Sequence, residues 1–218
     1  SDNKLMYRGS ESKRKKHQRK KDTMRKIEKG NPGYLDQIKK GEIIRTTVCF
    51  VIAAVLLCAG YDWAHTVLNL LSAAAVLVCI PAIMALLDVI AHSSWSSIDQ
   101  DKAKEIASKT DLLTACYDVL IGEGKQKTPV DCIVISVHNV FVYTHYEKAD
   151  TEELSGQIRS ILEQNGYTGI PVEVLARYTP FLARVEGLNN IAAVEREDTN
   201  EREEEIRRIF LDMQKSER

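Results

Sequence analysis

The stretch VLNLLSAAAVLVCIPAIMALL, residues 67–87, decides the fold of this chain. A helix that crosses a bilayer needs about 20 consecutive, predominantly apolar residues. This stretch has that length and holds no ionised group. Pro81 fits such a helix, because membrane helices tolerate a proline when neighbouring groups satisfy the freed backbone. The stretch therefore predicts a membrane-spanning helix over about residues 67–88.

A second apolar run, TTVCFVIAAVLLCAGY, occupies residues 46–61. It reaches spanning length when residues 43–45 are added, since Arg45 can extend its charge back to the interface. Spans at about 43–61 and 67–88 predict a transmembrane helical hairpin. The alternative is a hairpin buried in a soluble protein, but the remaining chain is too small and too charged to surround two such helices. A cleaved signal peptide does not fit, because the run begins late and a second span follows it.

Lysine and arginine residues predict the orientation of the hairpin. They flank its outer ends, whereas the connector DWAHT has none. Because loops rich in Lys and Arg stay on the cytoplasmic side, we expect a plasma-membrane protein with both termini in the cytoplasm. Tyr61 and Trp63 would then anchor the outer interface and Trp95 the inner one, where aromatic rings are enriched.

The chain is basic at its start and acidic afterwards. Up to Arg45 it has 15 Lys and Arg against 6 Asp and Glu, and beyond that residue 15 against 25. Residues 1–33 include KRKKHQRKK and no apolar face, which predicts a disordered tail. The tail can contact anionic lipid head groups or nucleic-acid phosphates, or it can have no binding role. Met24 is an alternative start of the protein. We expect the lipid bilayer as partner rather than nucleic acid. Residues 34–92 are predicted to form an interfacial helix and the hairpin.

Residues 93–194 predict a small cytoplasmic domain with the order α-β-β-α-β-α, so the fold class is a membrane-anchored α/β protein. A Ser-rich linker leads into a helix that continues through TDLLTACYDVLI. Two strands follow with His138-Asn139 as their turn, then a helix, a strand and a helix. Thr151 is the expected N-cap of the middle helix and Gly166 its expected end. The buried face of the first helix would comprise Ile106, Leu113, Cys116, Tyr117 and Leu120.

Residues 195–218 predict a charged, amphipathic C-terminal helix. Its apolar stripe has helical spacing, and charged residues occupy the opposite face. The stripe can pack on the domain, or it can bind a protein partner or a second copy of the chain. Its members are Ile206, Ile209, Phe210 and Met213.

The chemistry-bearing residues are few. The sequence lacks the glycine-rich phosphate-binding motifs, the zinc-protease motif and the serine-nucleophile motif, and its five cysteines lack metal-ligand spacing. No cofactor and no metal site are therefore predicted. Polar residues do cluster around the predicted strand hairpin, where they can bind a metal or transfer protons or be ordinary solvated residues. They are Asp131, His138, His145, Glu147 and Asp150, of which Asp131, His145 and Glu147 are the catalytic candidates.

Asp131 and the following CIVISVHNVFVYTHY resemble the core of nuclease-related domains of the restriction-endonuclease-like superfamily. In that family an Asp precedes a strand, a turn and a second strand that ends in Glu-x-Lys, and the carboxylates hold a divalent cation. This chain has Thr144 and Tyr146 where the Glu and the Lys would stand. The resemblance therefore implies a degenerate domain without nuclease activity.

The whole chain also resembles an uncharacterised group of two-span membrane proteins from anaerobic Gram-positive bacteria. The resemblance rests on MRKIEKGNPGY, on the hairpin and on QNGYTGIPVEV, and it implies the topology without an activity. Together these observations predict an integral membrane protein whose cytoplasmic domain is a non-catalytic interaction or scaffold module. The alternative is a metal-dependent phosphodiesterase or nuclease-like enzyme that uses Asp131, His145 and Glu147.

Overall fold

The computed structural model describes the chain in five segments, except for some side chains near the hairpin connector. The segments are residues 26–64, 70–122, 127–136, 138–195 and 199–213. Some predictions lie outside these residues. They concern the basic run KRKKHQRKK, the alternative start at Met24, the side chain of Trp63 and the connector residues HTVLN.

Two long helices form a hairpin. Helix α1 is Tyr34–Ala64, and helix α2 is Leu70–Ala91 with Pro81 inside it. The helices pack against each other, and the small Ala53 and Ala82 are buried within the pair. The predicted interfacial helix is not a separate element, because α1 runs without a break from Tyr34 into the apolar run.

The outer surface of the hairpin is apolar. Among the residues that the structure describes, Tyr34–Ala59 and Val76–Ser94 are long and apolar enough to cross a membrane. Large side chains along both helices are exposed, for example Val55 at 61% and Leu77 at 68%. A soluble protein rarely exposes apolar surface on this scale. The two predicted apolar helices are thus confirmed.

A small α/β domain follows the 3₁₀ turn His92–Ser94. Its order is α-β-β-β-α-β-α-α, so it has one strand more than predicted. The elements are α3 Gln100–Ser108, β1 Thr114–Ile121, β2 Thr128–Ile135, β3 Val140–Tyr143, α4 Thr151–Gln164, β4 Val172–Leu175, α5 Tyr178–Glu195 and α6 Asn200–Met213.

The prediction of one helix through TDLLTACYDVLI was wrong. Helix α3 ends at Ser108, and the Thr110 hydroxyl donates to the Ile106 carbonyl at its end. The chain then turns and continues as strand β1. A short apolar run fits either a buried strand or a buried helix, and here pairing with β2 along its length decides for the strand. Leu113, Cys116 and Tyr117 are buried as expected, but from the turn and a strand, while Leu120 is only half-buried.

The sheet has the strand order β1-β2-β3-β4. The first two pairings are antiparallel, and β3 and β4 pair in parallel, joined by α4 as a crossover. Helices α4 and α6 cover one face, through Leu154, Ile158, Leu162, Ile206 and Phe210. Helices α3 and α5 cover the other, where the buried residues include Ile106, Phe181 and Val185. The domain is therefore a three-layer α/β/α structure with two apolar cores.

Most of the local predictions in the second half of the domain are confirmed. The strand hairpin turns at His138-Asn139 between β2 and β3, and Gly166 follows α4 with a φ of +89°, which favours glycine. The predicted N-cap was one residue off. Asp150 rather than Thr151 caps α4, since its carboxylate accepts the N–H groups of Glu152 and Glu153.

The C-terminal helix belongs to the domain rather than forming a separate segment. Ile206 and Phe210 are fully buried in the core, so the apolar stripe packs on the sheet. The charged face is also partly internal. The Glu203 side chain is buried and accepts hydrogen bonds from the Thr114 N–H and the Thr199 hydroxyl. Ile209 and Met213, the other members of the stripe, are half-buried.

Residues 26–33, which the sequence places in the tail, contact the domain. The Gly30 carbonyl accepts the Tyr117 N–H at 2.9 Å and forms a bridge with β1. A side chain at Gly30 would meet Leu211 of α6 at 2.8 Å, and its φ is +80°. This position therefore requires glycine, both for its backbone conformation and for its close contact with α6.

Candidate functional site at the junction of hairpin and domain

The first buried carboxylate at the junction is that of Asp118, in the middle of β1. Its φ of +53° is the one positive value at a non-glycine residue among those the structure describes, and its side chain is inaccessible. The carboxylate accepts the Gly33 N–H at 2.6 Å and the Ile98 N–H at 3.0 Å. Gly33 precedes α1 and Ile98 follows α2, so Asp118 holds both ends of the hairpin to the sheet.

Burial raises the pKa of the Asp118 carboxyl above its ordinary value. Hydrogen bonds from the backbone of Ile98, the side chain of Ser97 and the backbone of Gly33 and Leu35 oppose this shift. A carboxylate that is buried needs such donors, because removing it from water without them is very costly. The cluster of N–H donors therefore explains why an acidic residue is tolerated inside β1.

Further contacts fix the base of the hairpin. The Lys39 ammonium of α1 donates to the carbonyl oxygens of Ser93, at 2.9 Å, and Trp95, at 2.6 Å. Asp36 and Ser97 exchange two hydrogen bonds between backbone and side chain. These contacts join the start of α1 to the segment after α2, so the two helices are antiparallel and their ends meet at the domain.

The second buried carboxylate, Asp131, lies on β2 beside Asp118. The pairs Tyr117–Cys132 and Val119–Val130 flank the two aspartates in the register of β1 and β2. Asp131 accepts the His145 backbone N–H at 2.5 Å and contacts Nδ1 of the same imidazole at 2.7 Å. Burial raises the pKa of Asp131, while the hydrogen bond and the charge of His145 oppose that effect.

The other nitrogen of His145 contacts a serine after the hairpin. The distance from His145 Nε2 to Ser96 Oγ is 2.7 Å. If Asp131 is ionised, it accepts the proton on Nδ1, which leaves Nε2 to accept from the Ser96 hydroxyl. Ser96, His145 and Asp131 thus form a hydrogen-bonded chain from a half-buried hydroxyl to a buried carboxylate. This order of groups is the one that activates a serine as a nucleophile.

The remaining candidates from the sequence lie elsewhere. Glu147 is exposed in the turn after β3. His138 contacts Glu195 at 3.6 Å, and Asp150 caps α4. Within the part of the chain that the structure describes, no three His, Cys, Asp or Glu residues are placed to hold a metal ion. Of the predicted catalytic set, the structure brings together Asp131 and His145 but not Glu147.

A cavity of about 390 Å³ opens at this junction. Its lining includes Trp95 and Tyr146, the chain neighbours of Ser96 and His145. The ring of His92 stacks on Trp95 at 3.9 Å and its Nδ1 contacts Glu42 at 3.1 Å, which holds this wall to α1. The lining residues are Ala91, His92, Trp95, Lys127, Thr128, Tyr146, Lys148, Asp150, Glu153, Leu154 and Gln157.

Sequence reasoning missed Ser96 and Asp118 as site residues. Ser96 stands among four serines in a linker, and nothing in a linker distinguishes one hydroxyl from the next. Asp118 interrupts an apolar run. In the predicted helix it would have been an ordinary polar residue, whereas in a buried strand its carboxylate is inside the domain. Had TACYDVLI been assigned to a strand, its lone acidic residue would have indicated a buried carboxylate in need of donors.

Comparisons with known proteins give no relatives. The chain matches no protein-family model, and neither the curated proteins nor the solved structures contain a match to it.

Proposed function

We propose that this chain is a membrane-anchored protein whose α/β domain acts as an interaction module at the cytoplasmic face of the plasma membrane. The two apolar helices would cross the bilayer, and both termini would be cytoplasmic. The apolar exposed surface of α1 and α2 and the lysines and arginines that flank them support this placement.

The observation that carries the proposal is the attachment of the domain to the hairpin. Asp118 binds both hairpin ends, and Lys39 joins α1 to the segment after α2. A flexible tether would leave the domain free to rotate. These contacts instead hold the domain in one orientation relative to the hairpin. In a bilayer, the same surface of the domain would then always be presented to a partner.

Helix α5 offers a surface for such a partner. Ile191 is 52% exposed and Val194 is 82% exposed, one helical turn apart at its C-terminal end. Exposed apolar side chains close together on a helix are typical of a contact surface. In the last helix, by contrast, Ile206 and Phe210 of the apolar stripe are buried, which leaves less apolar surface for a partner there.

Site-specific photo-crosslinking in membranes tests the module. A photoreactive phenylalanine at position 194 should give a discrete adduct, which is a copy of the chain or another protein. The matched control is the exposed Glu163 on α4, which covers the opposite face of the sheet. Adducts that are equally weak and diffuse at both positions would contradict an interaction surface on α5.

Labelling from the two sides of the membrane tests the topology. In a chain with its five cysteines replaced, we introduce one cysteine at Asp62, at the end of α1, or at Glu163. An impermeant thiol reagent added to intact cells should label position 62 only, and position 163 should react after lysis. Labelling of position 163 in intact cells would contradict a cytoplasmic domain.

A further inference from the structure

We propose that Ser96 is a nucleophile that cleaves carboxylic esters presented at the membrane surface. The inference goes beyond the interaction module, which requires no chemistry. It rests on the distance of 2.7 Å between Ser96 Oγ and His145 Nε2, on the distance of 2.7 Å between His145 Nδ1 and Asp131, and on the position of these groups at the end of the hairpin.

Each of the three hydrogen-bonded side chains, Ser96, His145 and Asp131, has the surroundings that its role requires. Asp131 is 3% exposed, so its interaction with the imidazole is weakly screened by water. It holds His145 by the ring and by the backbone N–H, which fixes the ring orientation. His145 retains 43% side-chain exposure, so a proton can leave and enter. Ser96 is half-buried on the chain that follows α2.

The reaction balances with water as the second reactant. Ser96 Oγ forms a bond to the ester carbonyl carbon, and its proton passes to His145 Nε2. The bond between that carbon and the alcohol oxygen then breaks, and the alcohol leaves with the proton from His145. Water adds to the resulting acyl-serine and gives a proton to the imidazole, which returns it to Ser96 as the acid departs. The net reaction converts an ester and water into an acid and an alcohol.

The position of the site indicates the class of ester. Ser96 lies two residues beyond the turn His92–Ser94 that ends the apolar helix α2, so we expect an acyl chain to reach it from the bilayer. The neighbouring cavity of about 390 Å³ is polar on its domain side, where Lys148, Glu153 and Gln157 line it. It can receive a polar alcohol portion. The substrate we expect is therefore an acyl ester of a polar alcohol, such as a lipid with a small head group.

Labelling of the full-length chain in detergent micelles with a fluorescent fluorophosphonate tests the nucleophile. We expect one adduct per chain, and peptide mass spectrometry should locate it on Ser96. Ser96→Ala should abolish labelling, whereas Ser94→Ala should retain it, since Ser94 is an exposed serine of the same segment. His145→Gln should slow labelling by at least ~100-fold, the usual contribution of a general base.

Asp131 acts through His145 as a positioning residue, and its role needs a separate readout. Asp131→Asn should slow labelling, and Asp131→Glu should recover part of the rate because it restores a carboxylate. Hydrolysis of p-nitrophenyl esters, with longer acyl chains preferred, should follow the same order among the variants. A folded wild-type chain that is not labelled, or is labelled on another serine, would overturn the proposal and leave Ser96 as a structural contact of His145.

Discussion

The hairpin and the α/β domain treat apolar side chains in opposite ways. In α1 and α2 large apolar residues such as Val55 and Leu77 face outward. Of the most apolar parts of Tyr34–Ala59 and Val76–Ser94, only 11% and 6% are buried. In the domain Phe181 and Phe210 are fully buried. The hairpin therefore leaves most of its apolar surface uncovered by the rest of the chain, whereas the domain buries its apolar side chains in a core of its own.

The junction connects these two regions through polar contacts. Asp118 binds backbone groups before α1 and after α2, while Asp131 binds an imidazole that in turn contacts Ser96. One buried carboxylate is thus engaged by hairpin N–H donors and the other by a titratable ring. The difference separates a residue that holds the structure together from one that can take part in chemistry.

The largest expected effect concerns the core of the domain. Phe210→Ala should lower the free energy of unfolding of the domain by about 3–5 kcal/mol, because it leaves a cavity where an aromatic ring was buried. Hydrogen exchange of the β1 amides in detergent micelles measures this loss. Arg208→Ala, an exposed neighbour on α6, is the control and should change little. Similar effects for both would mean that α6 does not belong to the core.

The next effect concerns the apolar outer surface of the hairpin. Ile80→Arg, at the middle of α2 and 56% exposed, should oppose membrane insertion by about 2.5–3.5 kcal/mol. Alkaline extraction of membranes would then release more of this variant than of the wild type. Val194→Arg, on the exposed end of α5, introduces the same charge and should not alter the extraction. Equal behaviour of the two variants would contradict a membrane-spanning α2.

The hairpin could be predicted from sequence because its signal is local. A long run without charge, like residues 67–87, has few structural alternatives. The secondary structure of the domain is harder to predict from sequence, because TACYDVLI fits a helix and a strand equally well until its partner strand is known. Pairing with β2 decides the case, and pairing is a tertiary property that one segment does not contain.

The junction could be predicted only in part for a related reason. Asp131 and His145 belong to the predicted strand hairpin of β2 and β3, which contains few polar residues. Their proximity could therefore be predicted from sequence. Ser96 lies 49 positions before His145, and no local pattern relates the two. Asp118 likewise meets Gly33 across 85 positions. Contacts of this separation depend on how the hairpin sits on the sheet.

A smaller effect is expected from removing the carboxylate that connects the hairpin to the domain. Asp118→Ala removes the acceptor for the Gly33 and Ile98 N–H groups, and one unsatisfied buried donor costs about 1–3 kcal/mol. We expect a loss of about 2 kcal/mol for the domain, measured by hydrogen exchange at β1. Residues near Gly33 should also become protease-sensitive. Asp111→Ala, an exposed aspartate just before β1, should change neither property. Unchanged proteolysis in Asp118→Ala would show that other contacts hold the hairpin.

The smallest effect concerns pH and separates the charge of Asp118 from its hydrogen bonds. Burial raises the pKa of this carboxyl in the folded chain, so the folded state binds its proton more tightly than the unfolded state does. As the pH falls through the raised pKa toward about 4, the ordinary value for a carboxyl, the wild type should gain stability relative to Asp118→Asn. As the pH rises through the raised pKa, that gain should disappear. Urea unfolding of both chains between pH 4 and pH 7 measures the difference, and Asp111→Asn should run parallel to the wild type. A wild type that instead loses stability relative to Asp118→Asn on acidification would mean that the N–H donors outweigh burial at this carboxylate.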